Sequence, residues 1–499
     1  MQKSVDGSVA APHAVVIGAG FGGIAAALRL RAKGYCVTLL ERGQKLGGRA
    51  QVFERDGFRH DAGPTVITAP FLFDELFTLF GKKREDYVEF RPLSPWYRFY
   101  YQDGTTFDYG GSVDDTLREI ARFEPRDCDG YMRMVEHSRK LYDAGFTELA
   151  DQPFHKLSMM TKQIPRLGQL RADRSVWQVV CKYLSHPKLR EAFSIQPLLV
   201  GGSPFDTTSI YGLIHYLERA WGVFFTMGGT GALVAAYGRL MQEEGIAVRF
   251  GATVSEITLD GRKATGVKLE SGETIAAAIV VSNADPMHLY RKMLPEAALS
   301  TATKLKRKSK LTMGLYVLYF GTTKQYPDVA HHTIWLGPRY RELLDEIFHQ
   351  KVMSKDFSLY VHRPTATDPS FAPAGCDSFY VLCPVPNTQG GQDWAIEGPK
   401  LRDRIVSELD RTMLPGLKAC ITADFYMTPA DFESDYLSFA GAGFSIAPYF
   451  TQSAWFRFHN KSESIEGLYL VGAGTHPGAG LPGVVCSAKV IEKLVPVVA

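Results

Sequence analysis

The sequence predicts an α/β fold in which one parallel-stranded domain is assembled from discontinuous segments and an α+β lobe fills the gaps between them. Three observations carry this expectation. Residues 15–42, VVIGAGFGGIAAALRLRAKGYCVTLLER, form an apolar strand, a Gly-x-Gly-x-x-Gly turn, a helix and a second strand. Residues 467–494, GLYLVGAGTHPGAGLPGVVCSAKVIEKL, repeat the order strand, glycine-rich loop, helix. Between them, MGGTGAL at 227–233 opens a further helix that leads into a series of short strands.

The first unit is a nucleotide cradle. His13–Ile17 runs into Gly18-Ala19-Gly20-Phe21-Gly22-Gly23. Gly18 allows the tight turn, Gly20 lets the backbone approach a pyrophosphate, and Gly23, next to Gly22, permits close helix–strand packing. The helix over 24–33 carries its apolar face at Ile24, Ala27, Leu28 and Leu30 and aims its positive N-terminus at the phosphates. Gly34 ends it, and Val37–Leu40 is the second strand. Glu41, with Arg42 beside it, stands at that strand's tip, where an acid accepts the ribose hydroxyls. An acid there repels a 2′-phosphate, which disfavours NADP and leaves NAD or FAD.

The choice between those two rests on ERGQKLGGRAQVFERDGFRHDAGPTV, from residue 41. A NAD domain would continue βαβ. Here Gly47-Gly48-Arg49 makes a glycine turn ending in arginine, a hairpin-like stretch follows, and Asp61-Ala62-Gly63-Pro64-Thr65 turns again. This pattern resembles the FAD family that contains monoamine oxidases, carotenoid desaturases and the Rab escort proteins. The resemblance places Gly48, Arg49, Pro64 and Thr65 along the pyrophosphate and flavin. It also sets Val254 where related flavoproteins grip the adenine through backbone groups, and Asn283 at the end of a strand returning to the flavin. In the C-terminal unit, Gly474 and Gly483 bring a second helix N-terminus to the ribityl and isoalloxazine part. No other strand leads into a Gly-x-Gly-x-x-Gly, so no separate nicotinamide domain is expected. The FAD-binding, Rossmann-like domain is thus read as 10–75, 225–300 and 460–499, with a small β meander after Glu244.

The other segments form the substrate side. Residues 76–224 read as largely helical, and 301–459 as a lobe holding the strands MGLYVLYFG, FSLYVHRP and SFYVLCPVP and the helix GPKLRDRIVSELDRTML. The helix has a core face at Leu401, Ile405, Leu409 and Met413. Within 155–190, Lys156, Lys162, Arg166, Arg171, Arg174, Lys182, Lys188 and Arg190 alternate with apolar residues. Such a stretch suits either a solvated helical face or contact with a membrane surface.

The totals exclude other classes. A formal net charge of +3 over 499 residues argues for no polyanionic partner, and no nucleic acid is expected. The seven cysteines form no Cys-x-x-Cys pair, which suits a reducing compartment without structural zinc. His331-His332 has no acid or histidine at ligand spacing, so no metal is expected. No apolar run spans a bilayer, and the first dozen residues lack the apolar core of a signal peptide. A cytoplasmic, peripherally membrane-associated protein is expected.

Over nearly its whole length the chain resembles the bacterial-type phytoene desaturases. The resemblance rests on GAGFGG, GGRAQV and DAGPTVIT, then on SIQPLLVGGSPFDTTSIYGLIHYLERAWGVFFTMGGTGALV. It continues through VAHHTIWLGPRYRELLDEIF and PAGCDSFYVLCPVPN to TQSAWFRFHNKSESIEGLYLVGAGTHPGAGLPGVVCSAK. It implies desaturation of the C40 carotene phytoene, in successive steps towards neurosporene or lycopene. In each step a hydride leaves an allylic carbon for the flavin and a neighbouring proton is lost. It further implies a quinone or oxygen as electron acceptor and a membrane-borne substrate, which makes 76–224 a helical, membrane-facing segment with the contact at 155–190 or its neighbourhood. Where many flavoproteins set an acid near the ribityl chain, this one has Gly474-Thr475, so backbone N–H groups are expected there. His476, in the same loop, either steers or accepts a proton as the catalytic candidate, or caps nearby backbone. Glu218 and Arg219 fit an internal ion pair or a pocket wall. Three alternatives share these motifs: a carotene cis–trans isomerase or later-pathway desaturase, an amine oxidase tethering flavin through Cys486, and a non-enzymatic lipid carrier of the Rab escort type. FAD binding separates the last from the rest.

Overall fold

A computed structural model describes residues 11–498. The expectation about the first dozen residues falls almost wholly outside that range. The central sheet has five strands: β1 (His13–Ile17), β2 (Cys36–Leu40), β3 (Ala247–Arg249), β4 (Ile279–Ser282) and β5 (Leu468–Leu470). Their order is β5-β4-β1-β2-β3, and every pairing is parallel. Strands more than 200 residues apart in sequence therefore lie side by side. The apolar runs Ala14–Ile17 and Ile279–Val281 in the middle of the sheet are buried throughout, as a sheet covered on both faces requires.

The first helix, Phe21–Ala32, is less one-sided than its sequence suggests. Phe21 through Leu30 are all buried, Arg29 included. The helix is wedged between the sheet, the C-terminal helix Leu481–Leu494 and the helix Phe71–Thr78. Arg29 is accommodated there by Glu492 at 2.5 Å and Glu75 at 3.2 Å. The expected meander is an antiparallel sheet of Val254–Asp260, Lys263–Leu269 and Thr274–Ala276.

A second sheet of seven strands forms the far side of the molecule. In order across the sheet its strands are Ile421–Met427, Gly314–Thr322, Asp377–Val385, Leu359–His362, His332–Trp335, Tyr97–Tyr100 and Thr106–Tyr109. The last two come from the segment expected to be largely helical. Their side chains alternate between buried and half-buried, with Tyr97, Phe99, Phe107 and Tyr109 facing inward, which is strand rather than helix patterning. The basic stretch 155–190 is not one face but three helices: Leu157–Gln169, Val176–Tyr183 and Pro187–Phe193. Arg166 pairs with Glu148 and Lys188 with Asp103, so part of its charge is neutralised locally.

Candidate functional site

Between the two sheets runs a cavity of about 620 Å³. Part of its wall is glycine backbone and a few polar groups; the rest is apolar side chains.

The glycine part is built by three segments that meet closely. A Cβ on Gly20 would stand 2.9 Å from Asn283 Nδ2, and one on Gly22 would stand 2.5 Å from Asn283 Oδ1 and 3.1 Å from Gly472 N. A Cβ on Gly23 would run into the Gly18 carbonyl oxygen. The first glycine turn, Asn283 and the last glycine loop therefore exclude side chains between them. Gly20 and Gly480 are the N-caps of the helices Phe21–Ala32 and Leu481–Leu494, and both line the cavity. Two helix N-termini thus offer free N–H groups at the wall of one cavity. Glu41 is anchored for its role: Oε2 accepts from Ala19 N and Oε1 from Gly43 N, each at 2.7 Å. Its remaining lone pairs are free to accept further hydrogen bonds.

The turn at 61–65 is fixed from three sides. Buried Asp61 accepts from Thr230 N at 2.9 Å, while Thr230 Oγ1 donates to Pro64 O at 2.6 Å. Tyr319 OH donates to Ala62 O at 2.8 Å, and Thr65 Oγ1 lies 2.7 Å from Tyr360 OH. Pro64 and Thr65 are thereby held on the cavity wall. Arg42, Gly48, Val254, Gly474 and Gly483 also line it, so all the nucleotide residues expected from sequence except Gly23 reach this cavity. Gly23 packs the helix onto the turn instead. Gly483 closes the second helix start, since a Cβ there would lie 2.7 Å from Gly478 O.

Arg49 is half-buried, and its terminal nitrogens donate to Gly443 O and Ser438 Oγ. Burial lowers its pKa, and the nearby Asp285 charge opposes that. Asp285 caps the helix Pro286–Lys292 by accepting from Met287 N at 2.8 Å. Thr475 turns away from the cavity and donates to Gly472 O at 3.0 Å.

His476 lies on the cavity wall, with Nε2 3.0 Å from Leu149 O and its ring 4.8 Å from that of Phe154. Burial pushes its pKa down to about 4, so the imidazole is neutral at pH 7. The neutral ring donates through Nε2 and leaves Nδ1, which has no partner, as a bare acceptor. The contact to Leu149 O is that of a backbone cap, and a ring that stays neutral down to about pH 4 binds a released proton only weakly.

The same burial makes a pH prediction. His60 and His215 are also pushed down to about 4, and His331 and His332 well below their ordinary value. An unfolded chain binds protons at these five sites below about pH 6.5, and the folded chain does not. Their stabilising contribution is complete above about pH 6.5 and fades as pH falls towards 4, by up to about 1.4 kcal/mol per pH unit for each histidine. Glu191 and Glu218, raised to about 7 by burial, offset two of the five. The melting temperature should therefore fall steadily between pH 6.5 and 4.5; a constant or rising value contradicts this.

Pairing of the strands His332–Trp335 and Leu359–His362 sets His362 opposite His332, so the His331-His332 pair does gain a third histidine. The ground for setting a metal aside does not survive, because the third member arrives through sheet register rather than sequence spacing. One nitrogen from each ring lies within 4.8 Å of the others, against the roughly 3.3 Å between nitrogens sharing one zinc. The rings of His332 and His362 are stacked 5.3 Å apart. His332 Nδ1 lies 2.7 Å from Tyr360 OH, which continues to Thr65, so the cluster supports the cavity wall from behind.

The Glu218–Arg219 alternative is decided in favour of the wall. Arg219 donates to Gly111 O and Thr116 Oγ1 and lies over the Trp96 ring, while Glu218 lines the cavity. Cys486 is in the core, its thiol pushed up to about 12 by burial, and is not among the wall residues. Tyr97, Thr230, Asp285 and Tyr360 escaped sequence reasoning, since only tertiary pairing brings them to the site.

The comparisons agree with this geometry. A profile described as "Flavin containing amine oxidoreductase" matches residues 21–490. A lycopene-forming phytoene desaturase of Pantoea ananas is 48% identical over 477 residues, covering 95% of this chain and 97% of its own. A neurosporene-forming phytoene desaturase of Rhodobacter capsulatus is 42% identical over 505 residues, covering 99% and 95%. Among solved structures, an oxidoreductase from Methanosarcina mazei superposes with a TM-score of 0.66 at 16% identity, over 96% of this chain and all of its own. That likeness shows the fold. The cradle, the acid at residue 41 and these relatives together place the chain among the flavin-containing amine oxidoreductases and, within them, the phytoene desaturases.

Proposed function

We propose that this chain is an FAD-dependent phytoene desaturase, working in successive steps towards neurosporene or lycopene. The observation that carries the reading is the continuity of one cavity, whose glycine cradle opens onto walls of Ile195, Leu198, Ile214, Leu217, Leu315 and Val317. A hydrocarbon needs no hydrogen-bond donors, and this part of the wall offers almost none. When bound, FAD supplies a two-electron oxidant next to the apolar space. The protein's own share is to position the chain, exclude water around a developing allylic cation and receive a proton. The segments 10–75, 225–300 and 460–499 serve FAD, and 76–224 and 301–459 enclose the substrate. A quinone or oxygen takes the electrons onward.

Substrate entry from a membrane surface is supported by the helix Leu157–Gln169. Met160, Gln163 and Leu167 face the cavity, while Leu157 and Ile164 are 53% and 57% exposed. One helix thus roofs the apolar space and presents large apolar residues outward. Among the described residues no helix is long and apolar enough to cross a membrane, so the contact is peripheral. Replacing both Leu157 and Ile164 by glutamate should weaken vesicle binding in flotation assays by about tenfold or more, with FAD retained. Undiminished binding removes this helix from the interface.

The function is tested by mixing the FAD-loaded protein anaerobically with phytoene-containing vesicles and following flavin absorbance. Bleaching in step with loss of phytoene supports desaturation. Isomerised carotene without net bleaching supports the isomerase, and a flavin that dithionite reduces but phytoene does not overturns the proposal.

A further inference from the structure

Two hydrogens leave the substrate in each desaturation, and the flavin accounts for one of them, with its electron pair. The other must go to a base on the cavity wall. Four carboxylates line that wall: Glu41, Glu218, Asp285 and Asp435. The oxygens of Glu41 hold backbone N–H groups, and Asp285 caps a helix beside Arg49. Asp435 stands with Arg42 in the adjoining surface groove and accepts from Ser434 Oγ. Only Glu218 belongs to the apolar part of the wall.

Glu218 sits on the helix Leu213–Trp221 one residue after Leu217, with no solvent exposure. Its Oε1 accepts from Tyr97 OH at 2.9 Å, and the Gln196 side chain is its other polar neighbour. The adjacent Arg219 donates to Gly111 O and Thr116 Oγ1 and not to this carboxylate. The position is also close to the cofactor side. Tyr97 packs against His332 with ring centroids 5.9 Å apart, His332 meets Tyr360, and Tyr360 meets Thr65 of the turn at 61–65.

On the desaturase reading above, we propose that Glu218 is the catalytic base that takes the proton released in each desaturation. One C–H bond of the –CH2–CH2– unit gives up a hydride to the flavin. The neighbouring C–H bond gives its proton to Glu218, and that bond's electron pair becomes the new π bond. The substrate loses two electrons and two hydrogens, the two electrons pass to the flavin, and the carboxylate becomes a neutral acid.

The surroundings suit that task. Burial raises the Glu218 pKa to about 7, with Tyr97, Arg219 and Gln196 pulling the other way. Facing it are Tyr97 and Tyr109 from two strands, both held protonated by burial, together with Gln196. On its own helix are Arg219 and His215, the latter neutral at pH 7. A base that titrates near the working pH combines availability with proton affinity.

The test uses FAD-loaded protein and the variants E218Q, E218D and Y97F. Infrared titration without substrate should show carboxylic-acid absorption from Glu191 and Glu218 disappearing with midpoints near 7 in the wild type; E218Q should lose the Glu218 part and keep that of Glu191, and Y97F should shift only the Glu218 part to higher pH. Single-turnover product formation should rise along the Glu218 midpoint. It should drop on the order of 10²–10⁴-fold in E218Q with FAD retained, and recover in part in E218D. An E218Q protein within threefold of wild type and keeping the pH limb overturns the assignment. Should E218Q lose FAD, Y97F decides, because it keeps the carboxylate: an unmoved midpoint and limb also overturn the assignment. A wild-type protein that makes no product overturns the desaturase reading itself, whatever the band does.

Discussion

Gly20→Val is expected to give a folded protein without FAD. Gly20 has φ −73° and ψ 173°, which valine adopts without strain, so the backbone does not resist the change. The one close neighbour of an added Cβ is the side-chain nitrogen of Asn283, at 2.9 Å. The added side chain therefore crowds Asn283 at the cavity wall, where on the proposed reading the backbone approaches the pyrophosphate. FAD affinity should fall on the order of 10³-fold, about 4 kcal/mol, measured by flavin fluorescence on titration into apoprotein. Gly23→Ala makes the contrasting control. Its methyl would meet the Gly18 carbonyl, a backbone atom, so this variant should lose stability and not only cofactor. Retention of FAD in Gly20→Val would contradict the placement of the cradle.

The second large effect is expected from Ile214→Lys. Ile214 lines the apolar part of the cavity, one turn before Glu218. Without substrate a lysine there keeps water around its ammonium, so FAD binding and melting temperature should change little. A hydrocarbon entering the cavity must strip that water from a charge, at a cost of several kcal/mol. The ratio kcat/KM should fall on the order of 10³-fold, with dithionite reduction of the flavin unaffected. Ile214→Val, which removes one methylene, should cost less than about tenfold. Normal turnover by the lysine variant would move the substrate out of this part of the cavity.

What the sequence made legible was local. The glycine turn, the acid at residue 41, the Gly-Pro turn and the last glycine loop each declare themselves within a few residues, and all reach the cavity. The parallel sheet was legible too, because its strands are short apolar runs next to glycine signals. The parts that stayed hidden depend on pairing across long separations. Tyr97–Tyr100 lies in a segment dominated by helices and becomes a sheet strand by pairing with His332–Trp335. Sheet register places His362 opposite His332, and only the helix start at Thr230 shows what Asp61 is for. Arg29 hid the full burial of the first helix, since a charged residue in a 3.6 pattern reads as solvent-facing until Glu75 and Glu492 are seen around it. For the same reason Glu218 and Arg219, adjacent in sequence and opposite in charge, suggested a pair. The fold sends them to different partners.

The central claim is that the two parts of one cavity bring FAD and a carotene together for oxidation. Its most direct test is product analysis after incubating purified, FAD-loaded protein with phytoene in liposomes, with oxygen and a quinone both supplied. The account predicts coloured carotenes with lengthened conjugation, and their distribution gives the number of steps. Phytoene recovered unchanged from a protein that still holds its flavin would contradict it.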